Sequence, residues 1–224
     1  MRKPEILNNV STPNTGPGKG ISVMRVLLVA ATAALGLFPA VTLSAADPKL
    51  VSSCEECHGA NGVSGAQDVP TIAGISAPVQ SDALKAYKGK TRPCPKVNYK
   101  SGDTSRQGDM CTAAKDLSDA QISDLAAYFA AKPYKRQKQP FDATKAATGK
   151  AIHDRDCQKC HSSGGTDPTD DAGILGGQPL NWLKGIIGEF KKGTIDQPKK
   201  MKDVVTKLSD ADIEALAHYY ASEQ

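Results

Sequence analysis

The chain has 224 residues, 39% hydrophobic and 23% charged, so it is long enough for one large domain or two small ones. Its formal charge of +4 is largely a property of its start, since residues 1–46 hold four Lys/Arg and one Glu and leave 24 basic against 23 acidic side chains. In that near-neutral remainder nothing points to nucleic acid binding, which calls for a basic surface.

The first segment reads as a targeting element. Residues 26–38 are an apolar run of thirteen, Arg25 precedes it, and Ser44-Ala45-Ala46 places small residues where a signal peptidase reads. Cleavage is expected before Asp47, which makes residues 1–46 a signal peptide and the protein periplasmic. The run is short for a membrane span, with an uncleaved anchor as the alternative. Residues 1–23 are an unusually long polar preface, and Met24 is the more natural start.

Cys54-Glu55-Glu56-Cys57-His58 comes next, and Cys157-Gln158-Lys159-Cys160-His161 repeats it 103 residues later. C-x-x-C-H is the attachment signal for c-type haem. Two thiols three residues apart on one helical turn point the same way, so each adds to one vinyl group of a porphyrin while the adjacent His reaches the iron. A lone C-x-x-C also occurs as a redox motif or half a zinc site, but a His directly after the second Cys, found twice, selects haem. The cofactors are therefore two haem c groups, held by Cys54, Cys57, Cys157 and Cys160. A porphyrin at the centre of each half also suits an aromatic content of only 5% and a core too small to be built from side chains alone.

The halves repeat one another. At an offset of 103, Ile72-Ala73-Gly74 matches Leu175-Gly176-Gly177 and Tyr87-Lys88 matches Phe190-Lys191; at an offset of 91, Met110 matches Met201 and Leu117-Ser118-Asp119-Ala120 matches Leu208-Ser209-Asp210-Ala211. The first half thus carries twelve extra residues between Lys88 and Met110. Each repeat ends in a helix: Ser118 caps it with Gln121 at the capping-box position, and Ile122, Leu125, Ala126 and Phe129 form its apolar stripe. Ser209 starts the same pattern, with Ile213, Leu216, Ala217 and Tyr220. Asp142 caps an opening helix leading into the second motif, and Gly149 is small enough for a close helix crossing. In the first half only residues 47–53 serve that purpose, so its opening helix is expected to be short.

Methionine completes the ligand set. Beyond residue 46 the chain has two Met, Met110 and Met201, at equivalent positions ahead of each final helix. Met is usually core filler, but exclusive use at two matched places assigns His58 and Met110 to the first iron, and His161 and Met201 to the second. Six filled positions leave no vacancy for oxygen or peroxide, and a thioether favours ferrous iron. Such sites pass electrons, and no catalytic residue is assigned. His153 and His218 read as ordinary helix residues, and Trp182, the sole Trp, as packing beside a haem.

Cys94 and Cys111 remain. In an oxidising compartment, two leftover thiols bracketing one loop pair as a disulfide rather than a metal site, and the bond would restrain the loop carrying Met110. Residues 132–140, with two Pro and four basic side chains, read as a solvated linker. Lys199-Lys200-Met201-Lys202 places three positive charges around a ligand, where an electron-transfer partner would approach.

Two modules in tandem, each with C-x-x-C-H, a small-residue turn, aromatic-Lys, Met and an L-S-D helix, resemble the cytochrome c4 family. Residues 140–224, beginning Pro140-Phe141-Asp142, more particularly resemble the dihaem cytochrome subunit of flavocytochrome c sulfide dehydrogenase. The resemblance implies an all-α fold of two class I cytochrome c domains, at 47–131 and 142–224, joined by a linker at 132–141. It also implies that Pro70 offers a carbonyl to orient His58, whereas Gly173 stands at that place in the second half. Two functions follow from it. The chain accepts electrons from a flavoprotein sulfide dehydrogenase subunit and passes them to a soluble acceptor, or it is a free shuttle between a quinol-oxidising complex and a terminal oxidase, touching the membrane only transiently. No G-x-G-x-x-G follows a strand here, so any flavin belongs to the partner. A haem enzyme or gas sensor, the third class, would need an open iron.

Overall fold

The computed structural model describes residues 45–170 and 172–224. The signal-peptide reading of 1–46 falls almost wholly outside the described residues. Among those described, no helix is long and apolar enough to cross a membrane.

The fold is helical with one two-stranded ribbon. Asp47 caps α1 (Pro48–His58) by accepting from the Lys49 N–H, with Pro48 in the first turn, where its missing N–H costs nothing. Helix α1 runs through the whole first C-x-x-C-H and stops at Gly59, whose φ of 78° ends the helix. The opening helix is thus short of lead-in but contains the motif. Then follow α2 (Ala77–Lys88), the ribbon β1 (Val97–Asn98) and β2 (Gln107–Gly108), α3 (Met110–Ala114) and α4 (Asp119–Ala130). The second half contains α5 (Ala143–Asp156), the short α6 (Ser162–Gly165), α7 (Leu180–Lys192), α8 (Lys199–Val205) and α9 (Asp210–Ser222).

Both final helices start with reciprocal capping boxes, Ser118 with Gln121 and Ser209 with Asp212. Their apolar stripes anchor two cores. Ile122, Leu125 and Phe129 pack with Val51, Ala114 and Leu117 in the first half; Ile213, Leu216 and Tyr220 pack with Ile152, Leu183 and Leu208 in the second. Helix α5 lies tightly along α9 because Gly149 has no side chain: a Cβ there would collide with the Ala215 carbonyl oxygen and lie 2.8 Å from the Tyr219 Cβ.

The repeat extends to individual backbone bonds. Ile72 N–H donates to the Gly62 carbonyl at 2.8 Å, and Leu175 N–H donates to the Gly165 carbonyl at the same distance. Gly74 N–H reaches the Phe129 carbonyl, and Gly177 N–H the Tyr220 carbonyl. Gly74 and Gly177 both sit at positive φ, 72° and 79°, and both receive the connecting segment: a Cβ would lie 2.7 Å from Tyr134 Cβ at the first and 2.6 Å from Arg136 Cβ at the second.

That segment corrects the expectation of a solvated linker. Tyr134 Oη donates to the Gly176 carbonyl at 2.7 Å, Gln137 N–H to the Gly177 carbonyl, and Gln137 Nε2 to the Gly65 carbonyl. Gln139 is buried. Lys135, Arg136 and Lys138 are exposed, while Tyr134 and the two glutamines bond into both halves, an arrangement that charge and proline content alone do not reveal. Direct bonds also cross between the halves, including Trp182 N–H to the Gln67 carbonyl at 3.0 Å.

Candidate functional site

Helix α1 sets Cys54 and Cys57 one turn apart, both as free thiols, and buries His58 at its C-terminus. The His58 Nδ1 lies 2.9 Å from the Pro70 carbonyl oxygen. A carbonyl only accepts, so Nδ1 carries the proton and Nε2 keeps its lone pair for a metal. Burial holds the ring's pKa below its ordinary value, with the Pro70 carbonyl pulling the other way, so the imidazole is neutral, as a ligand must be. The Cys54 thiol is pushed up to about 11 by burial, and next by the Glu55 charge. Cys57 opens onto a cleft of about 470 Å3 shared with Gly59, Gly65 and Ala66 and walled by Tyr99, Lys100 and Thr104 of the extra segment. Lys100 is pinned there by Asp68 at 2.8 Å, and the Lys100 and Ser101 N–H groups donate to the Glu56 carbonyl.

Met110 is the first residue of α3 and half-buried. Asp109 caps that helix through the Thr112 N–H, and α3 packs against α2. The next residue, Cys111, is disulfide-bonded to Cys94 with Cα atoms 5.7 Å apart, tying the turn that carries Met110 to the base of the extra segment.

The second motif is built differently. Helix α5 ends at Asp156, and residues 157–160 form turns in which the Cys160 and His161 N–H groups both reach back to the Cys157 carbonyl. Cys157 and Cys160 thus still lie one turn apart, but on a turn beyond the end of α5 rather than within a helix as in the first motif. Cys157 and Met201 pack against the same C-terminal core, while Cys160 is exposed. His161 lacks the orientation that His58 has. Its Nδ1 is buried without a hydrogen-bond partner; burial, and next His153, hold its pKa below the ordinary value, with Asp170 and the Gly173 backbone pulling the other way. A buried ring nitrogen without a partner is costly in a finished core. Asp170 steadies the chain just beyond, accepting from the Ser162 N–H at 2.6 Å.

The remaining histidines are structural. His153 is 1% exposed, and its Nδ1 meets the Tyr220 hydroxyl at 3.0 Å. His218 Nδ1 accepts from the Asp142 N–H at 3.0 Å, while its Nε2 lies 3.2 Å from Glu214 Oε1, which locks the start of α5 to α9. Trp182 packs on the C-terminal core. The residues present fit a covalent haem in each half: paired free thiols, an imidazole with its metal-facing nitrogen uncommitted, and a thioether ahead of each final helix. Gln178, fully buried where the halves meet, was missed by sequence reading; its only sequence signal is a polar side chain at the position that matches the apolar Ile75.

Comparison with known proteins agrees with this geometry. Residues 48–131 match the family described as cytochrome c, and residues 144–219 match the family described as cytochrome C oxidase, cbb3-type, subunit III. The chain is 30% identical over 185 residues to cytochrome c4 of Stutzerimonas stutzeri, covering 75% of this chain and 83% of that one. With cytochrome c4 of Pseudomonas aeruginosa it shares 28% over 196 residues, or 82% and 90% of the two chains. The structure of reduced cytochrome c4 from Pseudomonas stutzeri superimposes with a TM-score of 0.62 at 26% identity, covering 79% of this chain and 98% of that one.

Proposed function

Since this chain belongs to the cytochrome c4 family, a dihaem electron-transfer protein with one haem c in each of its two cytochrome c domains, we propose that it is a free periplasmic electron shuttle between a quinol-oxidising complex and a terminal oxidase. Cys54 and Cys57 hold the first haem and Cys157 and Cys160 the second; His58 with Met110, and His161 with Met201, are the axial pairs. When bound, each haem supplies one-electron ferric–ferrous exchange. The protein's part is to keep both axial positions occupied, to present neutral imidazoles from buried sites, and to hold the domains in fixed register. The observation that carries this reading is the pairing of His58 Nδ1 with the Pro70 carbonyl on the helix that also carries Cys54 and Cys57. Exposed Lys199, Lys200 and Lys202 surround Met201 and suit an acidic partner surface.

The domains are taken as 47–131 and 142–224, with the intervening segment bound between them. Acceptance of electrons from a flavoprotein sulfide dehydrogenase subunit is the competing reading. The relatives above are cytochromes c4, which favours the shuttle. Mild purification of a C-terminally tagged chain from its native periplasm decides between them. The shuttle is expected as a lone protein with two low-spin haems, indifferent to sulfide; a stoichiometric flavin-bearing partner that reduces the haems when sulfide is added would overturn it.

A further inference from the structure

We infer that Gln178, a residue of the second domain, sets the donor strength of His58, the haem ligand of the first, by polarising the Pro70–Thr71 peptide. The inference rests on His58 being an axial ligand, as proposed above.

One peptide group links the two residues. Its carbonyl oxygen, on Pro70, accepts from His58 Nδ1 at 2.9 Å. Its N–H, on Thr71, donates to Gln178 Oε1 at 3.0 Å. Amide resonance couples the two ends: an acceptor on the N–H favours the charge-separated form and moves negative charge onto the carbonyl oxygen. A more negative Pro70 oxygen draws the Nδ1 proton harder and makes the imidazole a better donor through Nε2. A better donor stabilises ferric iron and lowers the reduction potential.

The arrangement is held from every side. Gln178 Nε2 donates back to the Thr71 carbonyl at 2.8 Å, which fixes the amide's orientation. The Gln178 carbonyl accepts from Gln139 Nε2 at 2.8 Å, and Gln139 Oε1 accepts from the Leu180 N–H. Thr71 and Gln178 are both 0% exposed, so water does not compete for these bonds. The second domain has no counterpart. Ile174 stands where Thr71 does, Ile75 where Gln178 does, and His161 Nδ1 is unpartnered. The tuning is therefore one-sided, and it makes the first haem's ligand responsive to contact between the domains.

Gln178 is a positioning residue, and its removal has a signature that loosening of the fold lacks. In the dihaem protein, Gln178→Met deletes the acceptor with little change in volume. Spectroelectrochemical titration should show the first haem's potential rise by a two- to tenfold change in its reduction equilibrium, up to about 59 mV for a one-electron couple, with the second haem unmoved. Separation of the domains would instead wet the haem and lower its potential. Gln178→Glu, which keeps an oxygen on the Thr71 N–H, should restore a potential at or below the parent's. Gln139→Leu, which cuts the support but leaves the Thr71 bonds, should lower Tm without shifting the first haem. The His58 Nδ1 proton resonance should move upfield in Gln178→Met only. An unmoved first-haem potential and Nδ1 resonance in Gln178→Met would overturn the inference. A parent protein whose spectra lack His–thioether ligation at the first haem would instead overturn the ligand assignment beneath it.

Discussion

His58 and His161 occupy matched positions, yet only one is oriented. Proline at position 70 restricts the backbone at φ, and its carbonyl oxygen accepts from His58 Nδ1 at 2.9 Å. Gly173 lacks a fixed φ, and a Cβ there would meet only Val79 at 3.9 Å. The methionines are the test of the ligand assignment at this scale. Met201→Leu should open one axial position, so that half of the haem binds carbon monoxide at low concentration while the parent's spectrum stays unchanged on addition of the gas. Binding by neither haem in the variant would remove Met201 from the ligand set. His153, by contrast, belongs to the core: its replacement would strand the buried Tyr220 hydroxyl rather than disturb an iron.

At the scale of elements, the close approach of α5 to α9 depends on one missing methyl group. Gly149→Ala places a Cβ against the Ala215 carbonyl, which as backbone cannot rotate away. The helices must part, at a cost of about 1–3 kcal/mol, and denaturant unfolding should show a lowered midpoint with the spectral change centred on the second haem. A variant as stable as the parent would show that α9 shifts freely. The extra segment behaves as a strut. The Cys94–Cys111 bond closes seventeen residues, a loop for which chain entropy predicts about 3 kcal/mol. The double Cys94→Ser/Cys111→Ser variant should lose stability by that order, and its Met110 should be displaced by imidazole or cyanide at lower concentration than in the parent. Equal displacement would confine the disulfide to stability. The Arg106 guanidinium over the Tyr99 ring, at 4.2 Å, further stiffens the ribbon.

At the scale of the molecule, α5, α7 and α9 are joined through Glu214. Lys145 and Lys184 lie 3.0 and 2.8 Å from its carboxylate and His218 lies 3.2 Å away. The Lys184 and Lys145 hydrogen bonds hold its carboxyl down at about 2. A carboxyl with a depressed folded-state pKa contributes stability that is complete above its unfolded value near 4.5 and is lost as pH falls toward 2. Glu214→Gln should therefore lower Tm at pH 7 by about 2–4 °C, after allowing for solvent screening, and the gap to the parent should close between pH 4.5 and 2. A gap that persists unchanged at low pH would assign the loss to packing rather than charge.

The sequence by itself determined the cofactor, its number, the tandem architecture and both capped final helices, because each is written in local spacing: thiols and imidazole within five residues, caps three residues from their partners, apolar stripes at the helical period. Only the tertiary structure decided how the halves are joined. The segment 132–140 looks solvated when its charges are counted, but its bonds go to Gly176, Gly177 and Gly65, which lie tens of residues away. Gln178 carries only the signal of a polar side chain at the place matching Ile75, because a glutamine's function depends on which backbone groups face it, and Thr71 lies 107 residues distant. That α1 runs through the first motif while α5 stops just before the second is likewise invisible in C-x-x-C-H, since the same five residues end a helix or follow one according to the packing around them.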